Sequence, residues 1–147
     1  MEGKNSTEIL NDYMCNLKVM NNNLYNMHFN IIGASFFGMH QKLQDYYEKL
    51  AFMYDAAAER IKMLGGYPIT SLKQISEVST IKSMKSQDYD GKQVLEVLDN
   101  DFNFLTSYTR DLIDIFNNKG DIYTINMLSD NLNFFEKQLW MIQSSLK

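Results

Sequence analysis

Residues 24–68 read LYNMHFNIIGASFFGMHQKLQDYYEKLAFMYDAAAERIKMLGGYP, and the way this stretch divides decides the fold. Two apolar stripes of helical spacing meet in it. The first runs Leu10, Tyr13/Met14, Leu17, Met20, Leu24, Met27 and Ile31, in the steps of three and four that mark one face of an amphipathic helix. Gly33-Ala34-Ser35 interrupts it. The second runs Phe36, His40, Leu43, Tyr47, Leu50, Tyr54, Ala57, Ile61 and Leu64. Gly65-Gly66 ends it, because glycine is favoured just past a helix C-terminus, and Pro68 forbids continuation. A break as short as residues 33–35 joins antiparallel neighbours.

Outward from this hairpin the signals repeat. Asn5 with Glu8 has capping-box spacing. Asn5-Ser6-Thr7 also matches the glycosylation sequon, but the helix-cap reading is preferred. Ser71 with Gln74 caps a short helix to about Val78, and residues 80–89 read as loop. Asp90 with Gln93 caps a third long helix with the stripe Leu95, Leu98, Phe102, Leu105, Leu112 and Phe116. Gly120 breaks it, and Asp121 caps a fourth, with the stripe Ile125, Leu128, Leu132, Phe135, Leu139, Ile142 and Leu146. The predicted fold class is all-α: a ferritin-like four-helix bundle, with a short extra helix in the long crossover between helices two and three. The 147 residues are expected to form a single domain, 1–147.

Composition narrows the function. One proline and seven glycines are too few for an all-β protein with many turns. The net charge of −4 argues against a domain that grips DNA through its general surface. The first seven residues carry Glu2 and Lys4 but no basic run, and the last residues add no basic tail, so direct DNA binding is not expected. No run of about 18 apolar residues occurs and no signal peptide is recognisable, so no membrane association is expected. Cys15 is the one cysteine and has no partner in the chain, which fits a reducing, cytoplasmic setting.

Only two histidines occur, His28 and His40. They lie symmetrically about residue 34, each about six residues, or roughly 9 Å of helix rise, from the turn. In an antiparallel hairpin they reach the same height, and if they face the same side they contribute to one metal site. Asp55 and Glu59, at i and i+4, share a face of helix two, a spacing that suits paired metal-binding carboxylates. Yet His40 and Asp55 are separated by roughly 22 Å of helix rise, too far for one ion. A two-fold dimer removes the difficulty. With helix two packed antiparallel on its own copy, His40 of one chain approaches Asp55 of the other, the axis passes between Tyr47 and Glu48, and two equal sites result. The polar flank Gln41, Gln44, Glu48, Asp55 and Glu59 is then available to that partner.

Taken singly, each residue has a plainer reading. The histidines fit as hydrogen-bonded core residues, Asp55 and Glu59 as a solvated face or as partners for Arg60 and Lys62. The ten methionines fit as adaptable core and Cys15 as a small buried hydrophobe. No phosphate-cradling glycine loop, cysteine cluster or Ser/His/Asp arrangement is present. The joint geometry carries the metal reading.

With His28, His40, Asp55 and Glu59 in place, the sequence resembles the Dps miniferritins. The family pattern is approximately H-W-x-x-x-G-x-x-F-x-x-L-H, then D-x-x-A-E-R, then L-G-G-x-P, and the spacings of residues 24–68 match it throughout. Glu136-Lys137-Gln138-Leu139-Trp140-Met141 also resembles the family's last helix, so the similarity covers almost the whole chain. The resemblance implies a homo-oligomer: a hollow dodecamer of two-fold dimers. It implies a ferroxidase that binds iron(II) between two subunits, oxidises it with hydrogen peroxide in preference to oxygen, and stores it. His28 and His40 would come from one chain, Asp55 and Glu59 from its neighbour, with Glu59 the central ligand and Asp55 assisting.

This chain departs from the family pattern at several positions. Phe29 replaces the tryptophan that often follows the first ligand histidine, which leaves Tyr25, Tyr46, Tyr47 or Tyr54 as candidates for its radical-scavenging role. Gln41 and Gln44 stand where carboxylates are common, and the second of these often supports a second iron. Near the three-fold pores of the family, Asp121 and Asp130 remain, but Ile122 and Asn126 stand where acids are common. Two functions therefore stay open: a peroxide-using iron-storage shell, and a shell of weak iron chemistry acting as a structural or DNA-protecting protein. A larger ferritin or rubrerythrin is excluded by its need for Glu-x-x-His, since Tyr25 and Phe37 stand three residues before the histidines.

Overall fold

The computed structural model describes residues 3–147. Met1 and Glu2 lie outside them, and with these two the expectation of a start without basic residues. Four long helices and one short one make up the chain: α1 (Ser6–Asn30), α2 (Phe36–Met63), α3 (Leu72–Val78), α4 (Gly91–Asn118) and α5 (Ile122–Ser145). Two two-residue strands, β1 (Ile31–Ile32) and β2 (Tyr89–Asp90), pair in parallel, with Ile31 opposite Tyr89. Residues 3–91 form one compact unit and residues 92–147 a second.

The helix limits follow the capping chemistry. The Asn5 side chain accepts a 2.9 Å hydrogen bond from the Glu8 N–H, and Ser71 caps α3 through the Gln74 N–H. At the end of α2, the Gly65 N–H donates to the Lys62 carbonyl and the Gly66 N–H to the Ile61 carbonyl. This is a Schellman closure, which satisfies carbonyls the helix leaves open and requires a left-handed residue. Gly65 supplies it at φ 87°. The same pair of bonds closes α4 around Gly120. Replacing Gly65 by alanine is expected to cost about 1–2 kcal/mol, the price of a Cβ in the left-handed region, read as a lower denaturation midpoint.

In the first unit, α1 is the central element. Its predicted stripe is buried throughout, and Ile9, Cys15, Val19, Asn16, Asn21 and Asn23 are buried with it, so more than one face is covered. The α2 pattern shifts slightly from expectation. Tyr46 and Met53 are buried, whereas Tyr47 and Tyr54 lie half-buried beside them. The connection after α2 begins near the start of α1, where Asn11 donates to the Tyr67 carbonyl. It reaches the far end of α1, where Asn26 donates to the Met84 and Lys85 carbonyls. The connection therefore runs the length of α1, as a crossover must. The expected loop over residues 80–89 is irregular until its last residue, which enters β2.

In the second unit, α4 and α5 are antiparallel. Phe102 packs edge-on to Phe135 at 5.5 Å, Gln143 donates to Asp99, and Arg110 pairs with Glu136. The α5 register differs by one residue from the predicted stripe. Thr124, Asn131 and Gln138 are buried with Leu128, Phe135 and Ile142, while Ile125, Leu132 and Leu139 are half-buried. On α4, Val94 is buried where Leu95 was expected, and Leu95 flanks it. No helix among the described residues is long and apolar enough to cross a membrane.

Candidate metal centre

The turn at residues 33–35 brings His28, in the last turn of α1, against His40, in the second turn of α2. Their rings stack at 3.7 Å between centroids, 15° from parallel. The histidine signal read from chain spacing is thus realised as a direct contact. Each ring also uses its Nδ1 on the other residue's backbone: His28 Nδ1 lies 2.7 Å from the His40 carbonyl oxygen, and His40 Nδ1 lies 2.7 Å from the His28 carbonyl oxygen. A carbonyl only accepts, so each Nδ1 carries the hydrogen and donates it. In the neutral ring that assignment leaves Nε2 with its lone pair, the form a metal ion needs, and the second-nitrogen hydrogen bond is what orients ligand imidazoles generally.

Aromatic rings surround the pair. Phe36 stacks on His40 at 5.0 Å and 17°, and Tyr47 meets His28 edge-on at 5.2 Å. Tyr47 in turn stacks on Tyr25 at 3.9 Å. Desolvation, with Tyr25 and Glu48 nearby, raises the Tyr47 phenol above its ordinary value. Of the four tyrosines considered as stand-ins for the absent tryptophan, Tyr47 makes a ring contact with His28, with Tyr25 stacked behind it. Tyr46 is buried, which pushes its phenol up to about 12, and the Tyr54 hydroxyl donates to the Ile69 carbonyl. Phe29 itself is 68 % exposed. Phe36 was not singled out for this role from sequence, although its place one helical turn before His40 was the available signal.

Asp55 and Glu59 are exposed on α2, and they share its outward face. No group of three or more His, Cys, Asp and Glu side chains able to hold a metal occurs among the described residues. The chain thus carries an imidazole pair at one end of α2 and a carboxylate pair toward the other. Between them, the Gln41 amide donates to Asp45 at 3.1 Å and the Gln44 amide to Glu48 at 3.0 Å. The same helix exposes Phe37, Phe52 and Met63, at 86 %, 66 % and 59 %. Of the expected pore residues, Asp121 is engaged as the α5 cap, accepting from the Thr124 N–H and hydroxyl, while Ile122, Asn126 and Asp130 are exposed.

Known proteins resemble this chain in sequence and fold. A profile of the ferritin-like domain matches residues 7–147. A DNA protection during starvation protein of Brevibacillus brevis is 30 % identical over 139 residues, 95 % of this chain and 93 % of that one. One from Helicobacter pylori is 27 % identical, over 95 % and 96 % of the two chains. The crystal structure of a Dps protein from Vibrio cholerae O1 superposes with a TM-score of 0.92 at 30 % identity, over 96 % and 88 % of the chains. That protein is described as a member of a broad superfamily of ferritin-like diiron-carboxylate proteins.

Proposed function

This chain belongs to the ferritin-like domain family and, within it, to the Dps proteins, and from that membership we propose that it oxidises iron(II) with hydrogen peroxide and stores the product. The working form is a dodecameric shell assembled from two-fold dimers, each chain acting as one domain over residues 1–147. The iron is substrate and cargo. His28 and His40 of one copy supply the Nε2 donors, and Asp55 and Glu59 of a second copy supply carboxylate oxygens, with Glu59 central. A mixed nitrogen and oxygen donor set suits redox-active iron. Two iron(II) ions give one electron each to one peroxide; with two protons, the products are two iron(III) and two waters.

The observation that carries this reading is the reciprocal lock of the histidines, which uses each Nδ1 as a donor and leaves the Nε2 lone pairs of two stacked rings available. A core-histidine reading explains one such bond but not a pair of rings each held by the other's backbone. The exposed carboxylate pair and the apolar side chains on the same helix support a second copy as the source of the remaining ligands. The native assembly is expected to consume about one peroxide for every two iron(II), as the electron balance demands. Stopped-flow iron(III) absorbance with a peroxide electrode checks this, and paired loss of iron(II) and peroxide no faster with the protein than without it overturns it.

The second reading, a shell with weak iron chemistry, draws on Gln41 and Gln44, whose amides are tied to Asp45 and Glu48 where acids would strengthen a second iron position. Single-turnover stoichiometry separates the two readings. DNA contact is secondary in either. Twelve chains of net charge −4 give a formal charge near −48, which repels phosphate. At low salt and neutral pH the protein is expected to leave a DNA fragment unshifted in a gel, and clear retardation would contradict this. Cys15 is buried, its thiol pushed up to about 11 by that burial, which fits a structural thiol.

A further inference from the structure

Helix α1 carries asparagines at positions 16, 23, 26 and 30, spaced by seven, three and four residues. That is the spacing of one helix face. Asparagine is a poor helix former, so a stripe of it inside a helix calls for a tertiary cause. The structure supplies one, for these side chains bond the crossover as a neighbouring strand would. The Asn16 Oδ1 accepts from the Thr80 and Ile81 N–H groups, both at 3.0 Å, and from the Ser79 hydroxyl. Asn23 makes a two-way pair, donating to the Lys82 carbonyl at 3.0 Å and accepting from the Met84 N–H at 2.9 Å. Asn26 donates to the Met84 and Lys85 carbonyls at 3.2 Å each, and Asn30 donates to the Asn26 Oδ1 at 2.7 Å. Segment 79–85 has no helix or sheet of its own, so this amide ladder supplies partners that its backbone would otherwise find only in solvent.

The ladder ends where the metal half-site begins. After Lys85, whose carbonyl also accepts from the Tyr89 hydroxyl, the crossover enters β2 and pairs with β1. Strand β1 follows α1 directly, three residues after His28. The next residue, Gly91, approaches the start of α2 so closely that a Cβ there would lie 2.5 Å from the Ser35 Oγ. Residues 89–90 therefore pair with the end of the first arm of the α1–α2 turn, and Gly91 lies close against Ser35 in the turn itself. That turn sets the distance across which each histidine reaches the other's carbonyl. Asn21, on the opposite side of α1, donates to the Tyr47 carbonyl at 2.7 Å and ties down α2.

We propose that Asn23 and Asn26 are positioning residues for the iron site: by strapping residues 82–85 to α1 they hold the β1–β2 clamp that keeps His28 and His40 in register. The proposal rests on the reading of that pair as metal ligands. Neither asparagine touches the metal or the histidines, and each acts through the crossover backbone. Substitution by aspartate tests this with little change in size. Asn26→Asp removes both donations and sets a carboxylate against two carbonyls. Asn23→Asp keeps an acceptor for the Met84 N–H and loses the donor to Lys82. Asn22→Asp, at an exposed neighbour, controls for added charge.

Three readings are taken on the assembled protein: hydrogen exchange of residues 82–90, the visible absorption of bound cobalt(II), and iron(II) oxidation at saturating and limiting iron. In Asn26→Asp and Asn23→Asp, exchange in 82–90 rises while the interior of α1 stays protected. Cobalt(II) affinity falls about tenfold with altered absorption bands, the scale of losing an outer-shell partner. Asn22→Asp changes none of these. Faster exchange with unchanged cobalt(II) spectra and affinity overturns the positioning role, and unchanged exchange overturns the strap. If Asn23→Asp does not assemble, Asn26→Asp, at a half-buried position, carries the test alone. Failure of the underlying site reading has a separate signature: His28→Ala would then bind cobalt(II) as the unsubstituted protein does.

Discussion

Shells of His40→Ala chains and shells of Glu59→Ala chains are each expected to lose rapid iron oxidation by more than about a hundredfold, a larger loss than follows from an outer-shell partner. Mixing the two restores it. The physical reason is the helix rise between His40 and the carboxylates, which forbids one chain from completing its own site. In a two-fold dimer of one chain of each kind, one of the two sites loses both substituted ligands and the other keeps all four. Random reassembly from equal amounts makes half the dimers mixed, so roughly a quarter of all sites are intact. The measurement is the amplitude of the fast iron(III) absorbance phase before and after dissociating and rejoining the shells. Glu59 is exposed and His40 half-buried, so both variants should assemble, as gel filtration would report. Mixed shells as slow as either parent would sink the shared site. Unchanged rates in the single variants would sink the ligand assignment itself.

The second large effect concerns stability. Phe102 is fully buried on α4, edge-on to Phe135 and within 6.4 Å of Phe134. Phe102→Ala removes a ring from a packed position that helices cannot collapse to fill, and about 3–5 kcal/mol of stability should go with it. Trp140, 65 % exposed, is the contrast, and Trp140→Ala in the isolated subunit is expected to change stability by less than about 1 kcal/mol. Chemical denaturation at one fixed protein concentration keeps subunit association from entering the comparison. A Phe102→Ala midpoint close to that of the unsubstituted chain would show that the second unit is not held by this aromatic contact.

Much of this fold was legible because its signals are local. Asn5, Ser71, Gly65, Gly120 and Asp121 mark helix ends through bonds within a few residues, and each acts where chain spacing placed it. The equal height of His28 and His40 followed from their equal distance to one turn, whereas their facing was only a condition. The misses share a different cause. The β1–β2 pair is two residues long and joins segments far apart in the chain, so no periodicity announces it. On α5 the expectation placed polar residues outward, whereas Asn131 and Gln138 are buried, since burial requires partners for a polar group and not its absence. The frequency of asparagine was plain in the composition, but its use as substitute backbone depends on where the crossover lies. For the metal site, composition and spacing supplied the candidate residues. The reciprocal Nδ1 bonds, which fix the tautomer, need atomic positions.

The parallel bridge between Ile31 and Tyr89 has a consequence for the order of folding. Its partners are fifty-eight positions apart, whereas the two histidines are separated by twelve. Loop-closure entropy grows with the logarithm of length, so the short hairpin is the cheaper closure and forms ahead of the long one. During synthesis the imidazole pair can therefore meet before the crossover exists to clamp it. An early hairpin of this kind holds its two imidazoles on a loosely held turn, and the arrival of residue 89 tightens it. The final spacing of the two rings is in this sense a kinetic outcome, reached when this fifty-eight-residue loop closes.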